Sequence, residues 1–177
     1  MLKNLPTSIE NVFTTHKTPE AIFSALMPTL GEFLKCDRCF LYLRNPETGL
    51  GKVPFFWIRN STIPKIYDEN WKPEPDYLSS EDPMFAAALR TEPSIFMDDV
   101  NTTDVEILNQ EFEKRIFGHR ALIHAHLCQD EQLWGILQPC IYQYARNWTQ
   151  KERQVMDQVT QIITPIAVEY VVAAKQK

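Results

Sequence analysis

No window of the 177-residue sequence approaches 18 consecutive apolar residues, which excludes a hydrophobic helix able to span a bilayer. Its start, MLKNLPTSIENVF, lacks the unbroken apolar stretch of a secretory signal, so a cytoplasmic protein is expected. Basic runs never exceed a pair, and 18 Lys and Arg stand against 23 Asp and Glu, a formal net charge of −5. That removes the electrostatic footprint by which proteins hold nucleic acid. Internal repeats and low-complexity segments are missing, and the 12 prolines are dispersed, so no interdomain linker is visible. One domain over residues 1–177 is expected, its core at about 15–172 behind a short helical extension.

A chain of this length buries roughly 70% of its unfolded surface, so its 44% hydrophobic residues supply a core without disulfides or metal. Of the four cysteines only Cys36 and Cys39 lie close together. One C-x-x-C without a second pair does not define a zinc site, and intracellular thiols stay reduced. The pair reads as one cysteine at a helix end and one inside a strand.

Helical spacing first shows over about residues 6–15, with Ile9, Val12 and Phe13 on one side. Thr18 before Pro19 then caps a second helix carrying Ile22, Phe23, Leu26, Met27, Leu30, Phe33 and Leu34, which Pro28 and Gly31 should kink or weaken. Residues 38–44 and 53–58 read as strands joined by the turn residues Asn45, Pro46 and Gly49, with Pro54 confining the second strand to an edge. Residues 60–80 read as a long polar loop. Ser79 or Ser80 caps a short helix through Met84, Phe85 and Leu89, and residues 94–97 are strand-like. Thr103 with Glu106 forms a capping box for a helix through Val105, Ile107, Leu108, Phe112 and Ile116. Residues 120–127 and 133–142 form a hairpin. Thr149 with Glu152 opens the longest helix, interrupted by Pro165. The expected class is α+β: an antiparallel sheet with the N- and C-terminal helices on one face and short helices and loops on the other.

Three groups of residues carry a family resemblance. They are Asp37-Arg38-Cys39-Phe40-Leu41-Tyr42-Leu43, then Ala88-Leu89-Arg90-Thr91-Glu92-Pro93 leading to Asp98-Asp99-Val100, and finally Asp130-Glu131-Gln132-Leu133-Trp134-Gly135-Ile136-Leu137 ahead of Arg146-Asn147-Trp148-Thr149. In order and spacing they resemble the GAF domain superfamily, and in wording the GAF domains of cyanobacterial phytochromes and cyanobacteriochromes. The resemblance implies a pocket on the loop side of the sheet. Bilin-binding members attach the chromophore through a Cys-His pair, and here Asn109 and Gln110 stand in its place. No bilin cofactor is therefore expected. The pocket histidine of such domains aligns with Cys140. The Asn-Lys-x-Phe-Asp-Glu string of cyclic-nucleotide binders is absent, and residues 60–118 hold no cysteine of the kind free methionine sulfoxide reductases use. No catalytic residues are assigned, and no enzyme is expected.

His124, His126 and Cys128 are spaced by two, so on a strand they share a face, and two imidazoles with a thiol are zinc-ligand types. A two-residue turn at Asp130-Glu131 sets Leu127 opposite Trp134, His126 opposite Gly135 and His124 opposite Leu137. That points both histidines at the terminal helices as packing residues, and no metal is expected. A one-residue bulge would exchange the faces. The expected pocket residues are Phe56, Trp57, Phe96, Ile123, Ala125, Trp134, Ile136, Gln138 and Cys140, with Phe40 or Leu41 and with Tyr67, Trp71 and Tyr77 from the loop. The same set also describes a filled core.

The apolar stripe of the last helix predicts a homodimer interface at Val155, Val159, Ile162, Ile166 and Tyr170. The expected function is that of a regulatory GAF protein whose output is contact with another protein, with or without a noncovalently bound small molecule. The alternative is a ligand-free scaffold or assembly factor. A bilin photoreceptor is the least supported.

Overall fold

The structure is a computed structural model that describes residues 5–174. The ends of the expected 1–177 domain, residues 1–4 and 175–177, lie outside the described residues. Helix α1 (Thr7–Thr15) buries Ile9 and Val12, and α2 (Pro19–Leu34) follows. The Thr18 hydroxyl accepts the Ala21 N–H at 3.3 Å, and Pro19 occupies the first turn, where a missing N–H leaves nothing unsatisfied. The helix runs through Pro28 and Gly31. Gly31 is required by contact: a Cβ there would lie 2.2 Å from the Trp57 ring.

Six strands form one antiparallel sheet in the order β3-β2-β1-β6-β5-β4. They are β1 (Arg38–Asn45), β2 (Leu50–Ile58), β3 (Asp68–Pro73), β4 (Ile95–Met97), β5 (Ala121–Gln129) and β6 (Gln132–Ile141). β2 is flanked on both sides, so Pro54 does not confine it to an edge. Instead the pairing with β1 shifts between Leu41 and Leu43, and Pro54 falls in that irregular stretch, where no ladder N–H is needed. β3 replaces part of the expected loop over 60–80. It pairs with β2 at Leu50, Gly51 and Val53, and it exposes most of its side chains, so no apolar alternation marks it in the sequence.

The short helices are α3 (Leu78–Glu81), α4 (Pro83–Leu89) and α5 (Gln110–Ile116). The cap of α4 is Asp82, not Ser79 or Ser80: its carboxylate accepts from Met84 and Phe85 N–H at 3.0 and 3.2 Å, ahead of Pro83. The Thr103 box does not start a helix either. Thr103 donates its hydroxyl to Asp99 O at 2.7 Å, Asp104 takes the Glu106 N–H, and α5 begins only after Asn109, which accepts from Phe112 N–H. Val105 and Ile107 are consequently 73% and 46% exposed.

Helix α6 (Gln150–Ala174) opens with the expected capping box, Thr149 and Glu152 exchanging bonds at 2.8 and 3.3 Å. Together α1, α2 and α6 cover one face of the sheet in a continuous core. It contains Phe23, Leu26 and Leu30 from α2, Leu41 and Leu43 from β1, Ile123 and Leu127 from β5, and Val159 and Ile163 from α6. The other face carries two smaller clusters. One gathers Met84, Met97, Val100, Leu108, Leu122 and Cys140, the other Phe85, Ala88, Leu133 and Ile136. Among the described residues no helix is long and apolar enough to cross a membrane.

Candidate functional site

The hairpin of β5 and β6 decides which side chains reach the loop face. Asp130 and Glu131 both take positive φ, 53° and 57°, the geometry of a two-residue turn whose twist matches its strands. Gln129 pairs with Gln132 and Cys128 with Leu133, but Leu127 then pairs with Gly135, leaving Trp134 as an extra residue. The bulge moves β5 by one position relative to the regular hairpin. His126 now faces Ile136, not Gly135, and the register between Ala125↔Leu137 and Leu122↔Cys140 puts His124 across from Gln138. The physical reason is the composition of β5. This register sends Ile123, Ala125 and Leu127 into the helix-side core, where the regular one would bury two imidazoles among aliphatic side chains.

The expected pocket therefore divides between the two faces. Ile123, Ala125 and Trp134 belong to the helix-side core, and Trp57 and Phe96 pack against it. Phe56 packs on Tyr67, and Cys140 lies in the loop-side cluster around Met84. Of the nine, Ile136 and Gln138 line a cavity on the loop face, together with Phe40, while Phe96 lines an open cleft with Met97, Asp98 and Arg146. Tyr67 and Tyr77 are about half exposed, and Trp71 stacks on Lys52, whose Nζ lies 4.8 Å from the Trp71 and Tyr170 ring centroids.

That cavity has a volume of about 110 Å³ and lies between the sheet and α4. Tyr42, Met84, Phe85, Asp82 and His124 complete most of its wall. Sequence reasoning missed His124 because the bulge carries no clear signal. It missed Asp82 although Asp before Pro repeats the Thr18-Pro19 pattern. Tyr42 is held by its hydroxyl, which donates to Glu74 Oε1 at 2.5 Å while Arg44 grips the same carboxylate at 2.7 and 3.2 Å. Burial and the Glu74 carboxylate push the Tyr42 hydroxyl far above its usual range, so it stays protonated. Asp82 is pushed up to about 6, chiefly by burial.

The two histidines form a chain whose protons can be placed. His126 Nδ1 lies 2.7 Å from the Glu92 carbonyl, which only accepts, so Nδ1 carries the proton. Burial lowers the pKa of both rings, which keeps them neutral and leaves His126 Nε2 an acceptor. His124 Nδ1 donates to it at 2.8 Å. No His/Cys/Asp/Glu group able to hold a metal occurs among the described residues.

A second buried chain borders the loop face. Glu113, 1% exposed, accepts from the His119 backbone N–H at 3.0 Å, and its Oε1 lies 2.7 Å from His119 Nδ1. Arg38 donates to His119 Nε2 and to Pro64 O, both at 2.8 Å. Burial opposes charge on this ring, while the Cys140 sulfur and Glu113 favour it. The guanidinium decides the state, because two donors cannot face each other, and holds the ring neutral with its proton on Nδ1. Arg120 donates to both oxygens of Asp99 at 2.7 and 2.9 Å.

All four cysteines are free thiols, and burial raises Cys36 and Cys39 well above the usual range, which makes them unreactive. The expected dimer stripe is largely consumed within the chain. Val155 and Val159 are 2% and 0% exposed in the core under α6, and Tyr170 packs on Phe23 and Phe55, leaving Ile162 and Ile166 half-buried at the rim. At the site expected of a chromophore attachment, Asn109 caps α5 and the Gln110 amide donates to Asn101 O and Thr103 O.

One antiparallel sheet, sealed by terminal helices on one side and holding a cavity under short helices on the other, defines an α+β domain. The GAF domain family model matches residues 18–164. The chain belongs to the GAF domain family. No curated protein matches it. The phycoerythrobilin-bound GAF domain of a cyanobacterial phytochrome superposes with a TM-score of 0.70 or better, namely 0.72, at 16% identity over 98% of this chain and 100% of that one. The GAF domain of an Acinetobacter phosphoenolpyruvate-protein phosphotransferase gives 0.70 at 8% identity, over 98% and 96%. The chromophore-binding domain of a bacteriophytochrome from R. palustris gives 0.69 at 14% identity, over 99% and 63%. At these identities the likeness is one of fold.

Proposed function

We propose that this chain is a non-catalytic regulatory GAF domain that acts by contact with another protein and carries no tetrapyrrole. The observation that carries this reading is the size of the loop-face cavity between the sheet and α4. About 110 Å³ is well below the roughly 300–1,000 Å³ of sites for larger ligands, because Phe40, Tyr42 and Phe85 occupy the space. The capping work of Asn109 and the bonds of Gln110 support it, since neither side chain offers a sulfur for a thioether. Without a chromophore, what the domain offers its surroundings is surface, and pairing of two copies would use Ile162 and Ile166 at the α6 rim.

Native mass spectrometry of protein from a host that synthesises biliverdin or phycocyanobilin tests both parts. Colourless protein with the mass of the chain alone, present as a dimer at tens of micromolar, is the expected result. A tetrapyrrole adduct with visible absorbance overturns the reading, and a monomer removes the homodimer.

A further inference from the structure

The cavity is small, but its polar atoms are not used up. His124 and Gln138 are 3% and 6% exposed, and they face each other across β5 and β6. Cross-strand neighbours of this kind have Cβ atoms about 5 Å apart. With Nδ1 of His124 committed to His126, its Nε2 is a bare acceptor, and it has no partner among the described residues. The Gln138 amide likewise has none. Asp82 uses one oxygen, Oδ1, to cap α4, and its other oxygen is unpaired among the described residues. Three side chains from three elements thus bring unpaired polar atoms to one apolar chamber.

We propose that this chamber binds a small uncharged molecule with a compact apolar body and an N–H or O–H donor, held by His124 Nε2 and the Gln138 amide. The Glu92 carbonyl fixes the chain of protons through His126, so His124 presents an acceptor to the chamber and selects a donor. Size sets the other limit. An apolar cavity of about 150 Å³ holds benzene, so this one admits about four to five heavy atoms. Water is poorly held along most of the wall, because Phe40, Phe85, Met84 and Ile136 offer it no hydrogen bonds. One donor-bearing apolar molecule satisfies the polar wall and fills the rest.

The inference deepens the preceding reading, in which no tetrapyrrole occupies this space. Pyrazole is a suitable probe: neutral, five heavy atoms, with an N–H beside an acceptor nitrogen. Titrated into the isotopically labelled full chain, it should give a saturable shift of the His124 Nε2 resonance. His124→Phe or Gln138→Leu, each checked for a preserved amide spectrum, should weaken binding at least tenfold. A crystal soaked with pyrazole should show it against both side chains. A soaked wild-type crystal with only water in the chamber, a shift that does not saturate, or equal binding by folded variants overturns the proposal. Exclusion of pyrazole from colourless protein sinks this inference alone, whereas a bilin adduct sinks the reading beneath it.

Discussion

The two faces of the sheet are built from alternate residues of the same strands, yet they are different materials. On the helix side, Leu41, Leu43, Ile123, Leu127 and Leu137 meet α1, α2 and α6 in one dry core. On the loop side, Phe40, Tyr42, His124, Ile136 and Gln138 meet short helices in separate clusters around a void. Long helices cover a sheet continuously because each presents an apolar stripe over several turns. Helices of four to seven residues cannot, and the gaps between them admit polar groups and space. Stability should therefore reside mainly on one face, and adaptability on the other.

The largest effect should come from opening the dry face. Phe23→Ala removes a fully buried ring that touches Phe55 and Tyr170, and should cost about 3–5 kcal/mol, read as a fall in the urea midpoint and about 10 °C in Tm. A loss under 1 kcal/mol would mean the helix side is less rigid than its packing implies.

The next is a test of charge on the loop side. Asp82 holds its proton up to about pH 6 in the fold and to 3.8 otherwise, so its contribution falls as pH rises through about 4 to 6. His124 and His126 act oppositely. Their pKa values drop on folding, so stability is lost as pH falls below 6.5. Asp82→Asn keeps a capping side chain and should match wild type near pH 4. By pH 7 it should exceed it by on the order of 3 kcal/mol in urea unfolding. Parallel curves from pH 4 to 7 would refute the assignment.

Smaller effects separate the faces further. Gly31→Ala drives a methyl into the Trp57 ring, and overpacking of this kind should cost about 1–3 kcal/mol in thermal unfolding. Gln138→Leu makes the loop face resemble its opposite by removing an unpaired buried amide, and should leave stability unchanged or raise it by about 1 kcal/mol. A clear loss in that variant would show that the amide has a structural partner.

The helix side was largely legible from sequence because its cues are repeated. The Thr18-Pro19 cap, the Thr149-Glu152 box and the spacing of Phe23, Leu26, Met27 and Leu30 all agree with the observed helices. The loop side rests on single residues. Thr103 satisfied a capping pattern, but its hydroxyl went to Asp99 O, so α5 starts seven residues later. Asp68–Pro73 forms a strand with little apolar alternation to announce it. Among the expected pocket residues, Ile136 and Gln138 lie on the loop face, where β6 beyond the bulge at Trp134 alternates regularly. Ile123 and Ala125 lie on the helix side and His124 on the loop side, because the face of β5 depends on one unpaired residue and not on its own alternation.

That unpaired residue, Trp134, amounts to slack in the chain. Below it, Leu127↔Gly135 and every later pairing would survive if it were deleted, at the expense of the indole's packing, since the turn at Asp130 and Glu131 could close onto a regular ladder. Changes of length at this tip can thus be absorbed locally. The same change farther down the hairpin would turn the imidazoles toward the helices and the aliphatic row toward the void, so the tip is where the hairpin tolerates drift in length.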